Sequence, residues 1–257
     1  MNTASRVPSS RMALQQIFFV NRVRASLLIF VIGLSFASFA SIWSRQSIEN
    51  QGRAAFDRNV DRVKLEIAQR LRQAIYGMGG LKAMYAVTGE ANRKQFQSHI
   101  ESIDLKRDFP GLRGFGFIQH VKRDSIGAFL SATRADGASQ FAIRQLGDKI
   151  HDDLYVIKYI EPALENINAE GLDVGSEPRR REAIQIAVDT GKPTLSAAIK
   201  LVQQNGDTPG ALLFIPMYRR GTDPTSVSQR RAALIGVVYA PLVYEELLKH
   251  LAEVELE

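Results

Sequence analysis

Residues 109–117 read FPGLRGFGF, and the chain changes here from a helical to a strand-like pattern. The Pro-Gly pair near the start of the stretch is typical of a turn, so the helical pattern before it closes near Asp108. Gly114 and Gly116 alternate along the strand that follows. Because neither has a side chain, one face of this strand is open to close approach by a ligand or another backbone.

Further strand-like runs follow this turn, and two helical patterns lie between them. The second helical pattern, Pro178–Thr190, has Ser176 as its predicted N-cap and Gly191 at its end. This order predicts an α+β domain with a largely antiparallel sheet. The predicted strands are 112–121, 141–144, 154–160, 195–203, 211–218 and 234–239, and the first helical pattern is 123–134.

Before the turn, an apolar stripe recurs every three or four residues among charged neighbours, as expected for an amphipathic helix. We assign residues 44–79 to this stalk helix, which ends near three packing glycines, and we predict a second helix that closes near residue 108. The spacing permits pairing with a second copy of the chain, but the same stripe could instead pack on the domain behind it. The stripe consists of Phe56, Val60, Val63, Ile67, Leu71 and Ile75, and the glycines are Gly77, Gly79 and Gly80.

Residues 25–43 contain no charge and would form a helix of about 28 Å, which matches the apolar core of a bilayer. Arg22 and Arg24 precede this run and Trp43 ends it, so we expect residues 1–24 to be cytoplasmic and the remainder to lie outside. A signal peptide cleaved after Ala40 is the alternative, but the apolar run exceeds the usual length of such a peptide. A buried core helix fits less well because the run is apolar on all sides.

The charge distribution argues against a nucleic-acid role. The chain carries a net charge of +6, but its first 48 residues contain five arginines and no acidic residue. The remaining 28 basic and 27 acidic residues nearly balance. Cysteine is absent, the histidines are scattered, and His151-Asp152-Asp153 is more typical of a solvated turn than of a metal site. We therefore predict no catalytic residues, no metal and no cofactor.

Two later stretches complete an ordered set of motifs with residues 109–117. Residues 155–176 contain YxxxYIEP, then GLD and a serine, while residues 196–218 contain two paired apolar runs. Together these motifs resemble the CHASE family over roughly residues 80–240. CHASE domains are extracellular sensory domains found in front of histidine kinases, adenylate cyclases and diguanylate cyclases.

The resemblance implies a helical stalk that carries two PAS-like subdomains in a dimer, with a small organic ligand in the membrane-distal subdomain. Carried over to this sequence, the ligand-binding residues would be Phe115, Phe117, Tyr155, Arg180, Ser196, Leu201, Val202, Leu213 and Tyr239.

One position departs from the family pattern. The plant members bind cytokinin through an aspartate near the start of the helix that follows the GLD stretch, and this chain has Arg180 there. Because a guanidinium only donates hydrogen bonds, the resemblance points away from cytokinin and toward an anionic ligand. The alternative for the arginines at 179–181 is a solvated helix start paired with neighbouring glutamates, and the sequence does not indicate which of the three faces inward.

We therefore expect a single-pass inner-membrane protein with a periplasmic, ligand-binding sensor domain that forms homodimers. Residues 241–257 would form a C-terminal helix leading toward the membrane. We expect the chain to be truncated before a histidine kinase or diguanylate cyclase output. The alternative is a membrane-tethered adaptor or structural protein that dimerises without any ligand.

Overall fold

The computed structural model describes residues 10–89, 91–203 and 206–252, with the backbone alone for residues 10–27 and for a few other helix and strand positions. The chain divides into two compact units, Met1–Arg62 and Val63–Glu257. Helix α1 (Ser10–Thr88) contributes to both units, and each unit is described by itself below.

In the first unit, the described residues are helical from Ser10 onward. Large apolar side chains along this part are exposed: Leu28 is 62% exposed, Phe36 74% and Trp43 71%. Across the described residues, we find no helix that combines the length and apolar character needed to cross a membrane. The side chains of residues 25–27, at the start of the predicted span, lie outside the described part.

In the second unit, α1 continues to Thr88, so the prediction that the stalk helix ends near its glycines was wrong. The helix continues through Gly77, and the residue there is glycine because a Cβ would lie 2.6 Å from the Phe109 ring. This tertiary contact outweighs the helix cost of glycine, which is about 1 kcal/mol. The apolar stripe packs against the core through Ile67, Leu71 and Ile75.

Beyond α1, the described residues of this unit form short helices and eight strands. The helices are α2 (Arg93–Glu101), α3 (Leu105–Asp108), α4 (Ile126–Ala135), α5 (Pro178–Thr190), α6 (Val227–Ala233) and α7 (Tyr244–Ala252). The strands are β1 (Phe115–Lys122), β2 (Arg144–Gln145), β3 (Asp153–Glu161), β4 (Leu172–Asp173), β5 (Thr194–Leu195), β6 (Ile199–Gln203), β7 (Gly206–Tyr218) and β8 (Leu234–Val243).

The strands form one mixed sheet in the order β2-β4-β3-β1-β8-β7-β5, with β6 paired to β7. All pairs are antiparallel except β2 with β4, which is parallel. The α+β class is therefore confirmed. The largely antiparallel pairing agrees with the prediction, but the described strands join into a single mixed sheet, whereas the resemblance implied two PAS-like subdomains.

The sheet is buried on both faces because its central strands present apolar side chains to each side. On β8, Val238 and Ala240 pack with Met78 of α1, whereas Tyr239 packs with Ile184 of α5 on the opposite face. We call these the α1 face and the α5 face. Continuous apolar runs such as those of β7 and β8 are typical of strands covered on both sides.

Several predicted boundaries change for local reasons. Helix α5 has the predicted limits, but its N-cap is Glu177, whose carboxylate accepts from two backbone N–H groups of the first turn. The predicted strand 195–203 is two strands, β5 and β6, that pair with different parts of β7. The predicted C-terminal helix from residue 241 begins only at Tyr244, because the residues before it extend β8. Residues 253–257 of that prediction lie outside the described part.

Candidate functional site

A small cavity lies between the α5 face of the sheet and the first turn of α5. Its volume is about 30 Å³, which is room for one or two water molecules. Its walls are mainly apolar, with polar groups from an arginine, a tyrosine and an asparagine. The residues that matter for its chemistry are Arg180, Tyr239, Asn166, Leu201, Leu212 and Ile157. We call it the α5 cavity.

Arg180 enters the cavity from the first turn of α5, where Glu177 caps the helix and accepts from the Arg180 backbone N–H at 3.0 Å. The residue is only 5% exposed. One terminal nitrogen donates to the Lys200 carbonyl on β6 at 2.6 Å, and the other lies 3.8 Å from the Glu177 carboxylate. Its Nε has no hydrogen-bond partner among the described residues. Burial lowers the pKa of Arg180, and Glu177 partly opposes that effect.

Tyr239 supplies the second polar group, from the centre of β8. Its side chain is fully buried, and its hydroxyl has no hydrogen-bond partner in the described part of the chain. Burial raises the pKa of Tyr239 well above its ordinary value, so the hydroxyl keeps its proton and can donate. Gly116 lies opposite on β1, and a Cβ there would overlap the tyrosine ring. The open strand face predicted from the alternating glycines is thus filled by this ring.

Two unpartnered donors among apolar walls define what the cavity can bind. A buried polar group without a partner costs about 1–3 kcal/mol, so an acceptor within hydrogen-bond distance of Arg180 Nε or of the Tyr239 hydroxyl would recover that cost. A carboxylate offers two acceptor oxygens for such donors and would meet a cation that is never deprotonated in proteins.

The structure brings four of the nine predicted ligand residues together at the cavity: Arg180, Leu201, Val202 and Tyr239. Leu213 alternates with the cavity residue Leu212 along β7 and therefore lies on the α1 face.

Phe115 and Phe117 also lie on the α1 face, where Phe117 contacts the ring of Tyr85 with centroids 4.8 Å apart. Tyr155 and Ser196 are buried but do not line the cavity. The Ser196 hydroxyl donates to the Ala197 carbonyl and accepts from the Leu212 backbone.

Sequence reasoning missed the part of the wall formed by Asn166, Ala169 and Leu172. Asn166 is fully buried, and its side-chain nitrogen donates to the carbonyls of Arg113 and Pro162. The sequence signal for this residue was its position shortly after the YxxxYIEP motif, but spacing alone does not reveal that the segment folds back over the sheet.

The three successive arginines at the start of α5 have different surroundings. Arg179 is exposed and donates to the Ala198 carbonyl at 2.8 Å. Arg181 is buried but fully engaged, because it donates to the Gly175 carbonyl and to both the carboxylate and the carbonyl of Asp153. Only Arg180 both faces the cavity and keeps an unpartnered nitrogen.

Asp153 anchors a network beside the cavity that the sequence did not indicate. His120 Nε2 lies 2.8 Å from its carboxylate, and the His120 ring stacks on Tyr155 with centroids 5.2 Å apart. The Arg181 guanidinium lies 5.2 Å from the same tyrosine ring. The hydrogen bond from His120, together with Arg181, lowers the pKa of Asp153. The solvated turn predicted for His151-Asp152-Asp153 therefore does not describe Asp153, which begins β3 and belongs to this network, whereas Asp152 is exposed in the bend before it.

No group of His, Cys, Asp or Glu within the described ranges could hold a metal ion.

The family follows from a comparison with known protein families. A model described as the CHASE domain matches residues 89–256, which is more than half of the chain, so the chain belongs to the CHASE domain family. CHASE domains are extracytoplasmic sensory domains of signalling receptors, and they sense without catalysing a reaction. Among curated proteins, none matches the chain significantly.

Proposed function

We propose that this chain is the membrane-anchored, periplasmic input module of a receptor and that it binds a small organic anion in the α5 cavity. The observation that carries the proposal is the pair of buried, unpartnered donors, Arg180 Nε and the Tyr239 hydroxyl, at one cavity. The sensory role of the CHASE family supports a ligand at such a position. A histidine kinase or nucleotide cyclase output would be supplied by sequence outside this chain or by a partner.

The anchor would be the uncharged run at 25–43, with its flanking arginines on the cytoplasmic side. The exposed apolar side chains between Leu28 and Trp43 support it, because a helix apolar on several sides needs an apolar surrounding. If this run anchors the chain in a bilayer, the protein stays in the membrane pellet after alkaline extraction. An Ile32→Arg variant, which places a charge near the middle of the run, should release a substantial fraction.

Binding of an organic ligand requires the cavity to enlarge, since about 30 Å³ holds only water. Strand β6 is the element that can yield, because among the described strands it pairs with β7 alone. It supplies Leu201 and Val202 to the cavity wall and the Lys200 carbonyl to Arg180. We propose that the ligand displaces the apolar wall on β6 while Arg180 exchanges its carbonyl partner for the anion.

Strand β8 offers the route from the cavity to the stalk. Tyr239 faces the cavity, whereas its neighbours Val238 and Ala240 belong to the cluster on the α1 face that includes Met78 and Leu81. A ligand that moves Tyr239 therefore acts on a strand whose other side packs on α1. Such a ligand shifts the equilibrium only by its differential affinity for the two arrangements.

The small volume of the cavity favours one alternative, namely a CHASE domain that serves as an adaptor or dimerisation module without a ligand. In that case one or two water molecules satisfy both donors. Binding measurements separate the two functions.

The test is calorimetric titration of the detergent-purified chain with acetate, succinate, benzoate, amino acids and nucleobases. We expect one of the carboxylates to bind, and at 100 times its dissociation constant to raise the free energy of unfolding by about 2.7 kcal/mol. Tyr239→Phe removes one donor and Arg180→Met removes the charge, so each should weaken binding at least tenfold. Arg179→Met changes the exposed neighbouring cation and serves as the matched control.

The control should bind as the unaltered chain does. Absence of binding by every probe to a folded protein would favour the adaptor function. Equal weakening by Arg179→Met and Arg180→Met, with binding unchanged in Tyr239→Phe, would show that the anions respond to general charge and not to the α5 cavity.

A further inference from the structure

A second concave surface lies away from the α5 cavity, between the last turns of α1 and the segment that joins β7 to α6. Its volume is about 760 Å³, within the range of small-molecule sites. Four cations line it: Lys82 from α1, Arg219 and Arg220 from the connecting segment, and Arg230 from α6. We call it the basic cleft.

The cations of the basic cleft are poorly compensated. Asp223 is the one acidic residue on its wall within the described ranges, which leaves an excess of three positive charges. Asp189, at the end of α5, is already paired with Arg231, because its two carboxylate oxygens accept from Nε and one terminal nitrogen of that arginine at 2.6–2.7 Å. Like charges held together in a concave surface focus the field and attract anions.

The arginines are also held in place before any ligand arrives. Arg230 donates through Nε to the Asp189 carbonyl at 2.8 Å and through a terminal nitrogen to the Thr225 carbonyl at 3.1 Å. Arg220 donates to the Val87 carbonyl at the end of α1 at 3.4 Å. None of these partners carries a charge, so the hydrogen bonds orient the guanidinium groups without neutralising them.

The floor of the cleft is apolar. Met217 is 3% exposed, and Ile235 and the ring of Tyr218 lie beside it. The Tyr218 hydroxyl is turned away, because it donates to the Val188 carbonyl at 2.9 Å. A ligand suited to this surface has a highly charged anionic group for the cations and an apolar or aromatic part for the floor.

We propose that the basic cleft binds an organic phosphate ester, with the dianionic phosphate between Lys82 and Arg220 and its apolar part on the floor beside Ile235 and the Tyr218 ring. Arginine guanidinium groups match phosphate oxygens in planar, paired hydrogen bonds, and lysine adds a point charge. This site shares no lining residue with the α5 cavity, so its occupancy does not depend on the function proposed for that cavity.

Phenyl phosphate is the probe, titrated calorimetrically into the detergent-purified chain, with phenol and inorganic phosphate as comparisons. We expect one-to-one binding of phenyl phosphate, weaker binding of inorganic phosphate and no binding of phenol. Lys82→Gln and Arg220→Gln should each weaken phenyl phosphate binding about tenfold, because each removes a charged hydrogen-bond donor. Both residues are exposed, so the thermal midpoint of the variants should not change.

Two controls make the assignment specific. Lys94→Gln removes one exposed cation outside the cleft, and Arg180→Met alters the α5 cavity. Both variants should bind phenyl phosphate as the unaltered chain does. The proposal is overturned if phenyl phosphate does not bind, if Lys94→Gln weakens binding as much as Lys82→Gln, or if Arg180→Met abolishes it.

Discussion

Replacing Tyr239 with phenylalanine should leave the free energy of unfolding unchanged or raise it by up to about 1 kcal/mol. The hydroxyl is fully buried and has no hydrogen-bond partner within the described chain. A buried polar group in this condition costs about 1–3 kcal/mol, and its removal eliminates that cost. The void of one oxygen atom beside an existing cavity offsets part of the gain.

Tyr159→Phe is the matched comparison, because Tyr159 and Tyr239 are each 1% exposed and lie in the same sheet. The Tyr159 hydroxyl donates to the Asp136 carboxylate and lies 3.3 Å from the Ala91 carbonyl. Its removal leaves a partly buried carboxylate without this donor. We expect a loss of about 1–3 kcal/mol from this variant.

Urea denaturation followed by circular dichroism measures both variants, and scanning calorimetry provides an independent check. For a unit of this size, 1 kcal/mol corresponds to about 2–4 °C in the thermal midpoint. A loss for Tyr239→Phe as large as that for Tyr159→Phe would show that the Tyr239 hydroxyl has a partner in the folded protein. The α5 cavity would then lack the unsatisfied donor on which the proposed ligand site depends.

Three further predictions concern the surroundings of the site. Gly116→Ala should cost about 1–3 kcal/mol in urea denaturation because its Cβ would overlap a tyrosine ring, whereas Gly79→Ala in open helix surface should gain up to about 1 kcal/mol. The pKa of Asp153 is lowered in the folded state, so its stabilising contribution is present above about pH 4 and is lost on further acidification. Asp153→Asn should therefore reduce the dependence of the free energy of unfolding on pH, measured between pH 2 and 7. Arg181→Met should cost about 2–4 kcal/mol because it breaks a partly buried ion pair and removes the donor to the buried Gly175 carbonyl, whereas Arg179→Met, measured in parallel, should stay within about 0.5 kcal/mol.

Sequence patterns predicted the elements that depend on local signals. Helix α5 has the predicted limits because a proline in its first turn and Gly191 at its end, with a φ of 71°, are strong local signals. The turn before β1 was equally clear. The N-cap was misplaced by one residue because Ser176 and Glu177 can both accept hydrogen bonds, and the Ser176 hydroxyl is used elsewhere, donating to the Asp173 carbonyl at 2.6 Å.

The predictions that failed depend on contacts distant in sequence. The glycines of α1 indicated a helix end, but Gly77 is required by the ring of Phe109, some thirty residues away. Leu213 was placed at the ligand site because the CHASE resemblance implied it, but in the folded sheet its neighbour Leu212 faces the cavity and Leu213 faces α1. The alternation along a strand determines which residues share a face of the sheet, but it does not determine which of the two faces lines the ligand cavity.

The two unpartnered donors of the α5 cavity set an upper limit on the free energy that the proposed anion could supply to a signalling switch. To move a two-state equilibrium from 1:99 to 99:1, a ligand must prefer one arrangement by about 5.5 kcal/mol. Arg180 Nε and the Tyr239 hydroxyl are unpartnered with the cavity closed, and satisfying each would recover about 1–3 kcal/mol. Together the two donors would give the proposed anion about 2–6 kcal/mol, and the loss of the Arg180 hydrogen bond to the Lys200 carbonyl reduces that gain, so only the upper end of the range reaches the requirement. In the proposed receptor this difference in free energy would be passed to α1 through β8, which carries Tyr239 on one face and packs against α1 on the other.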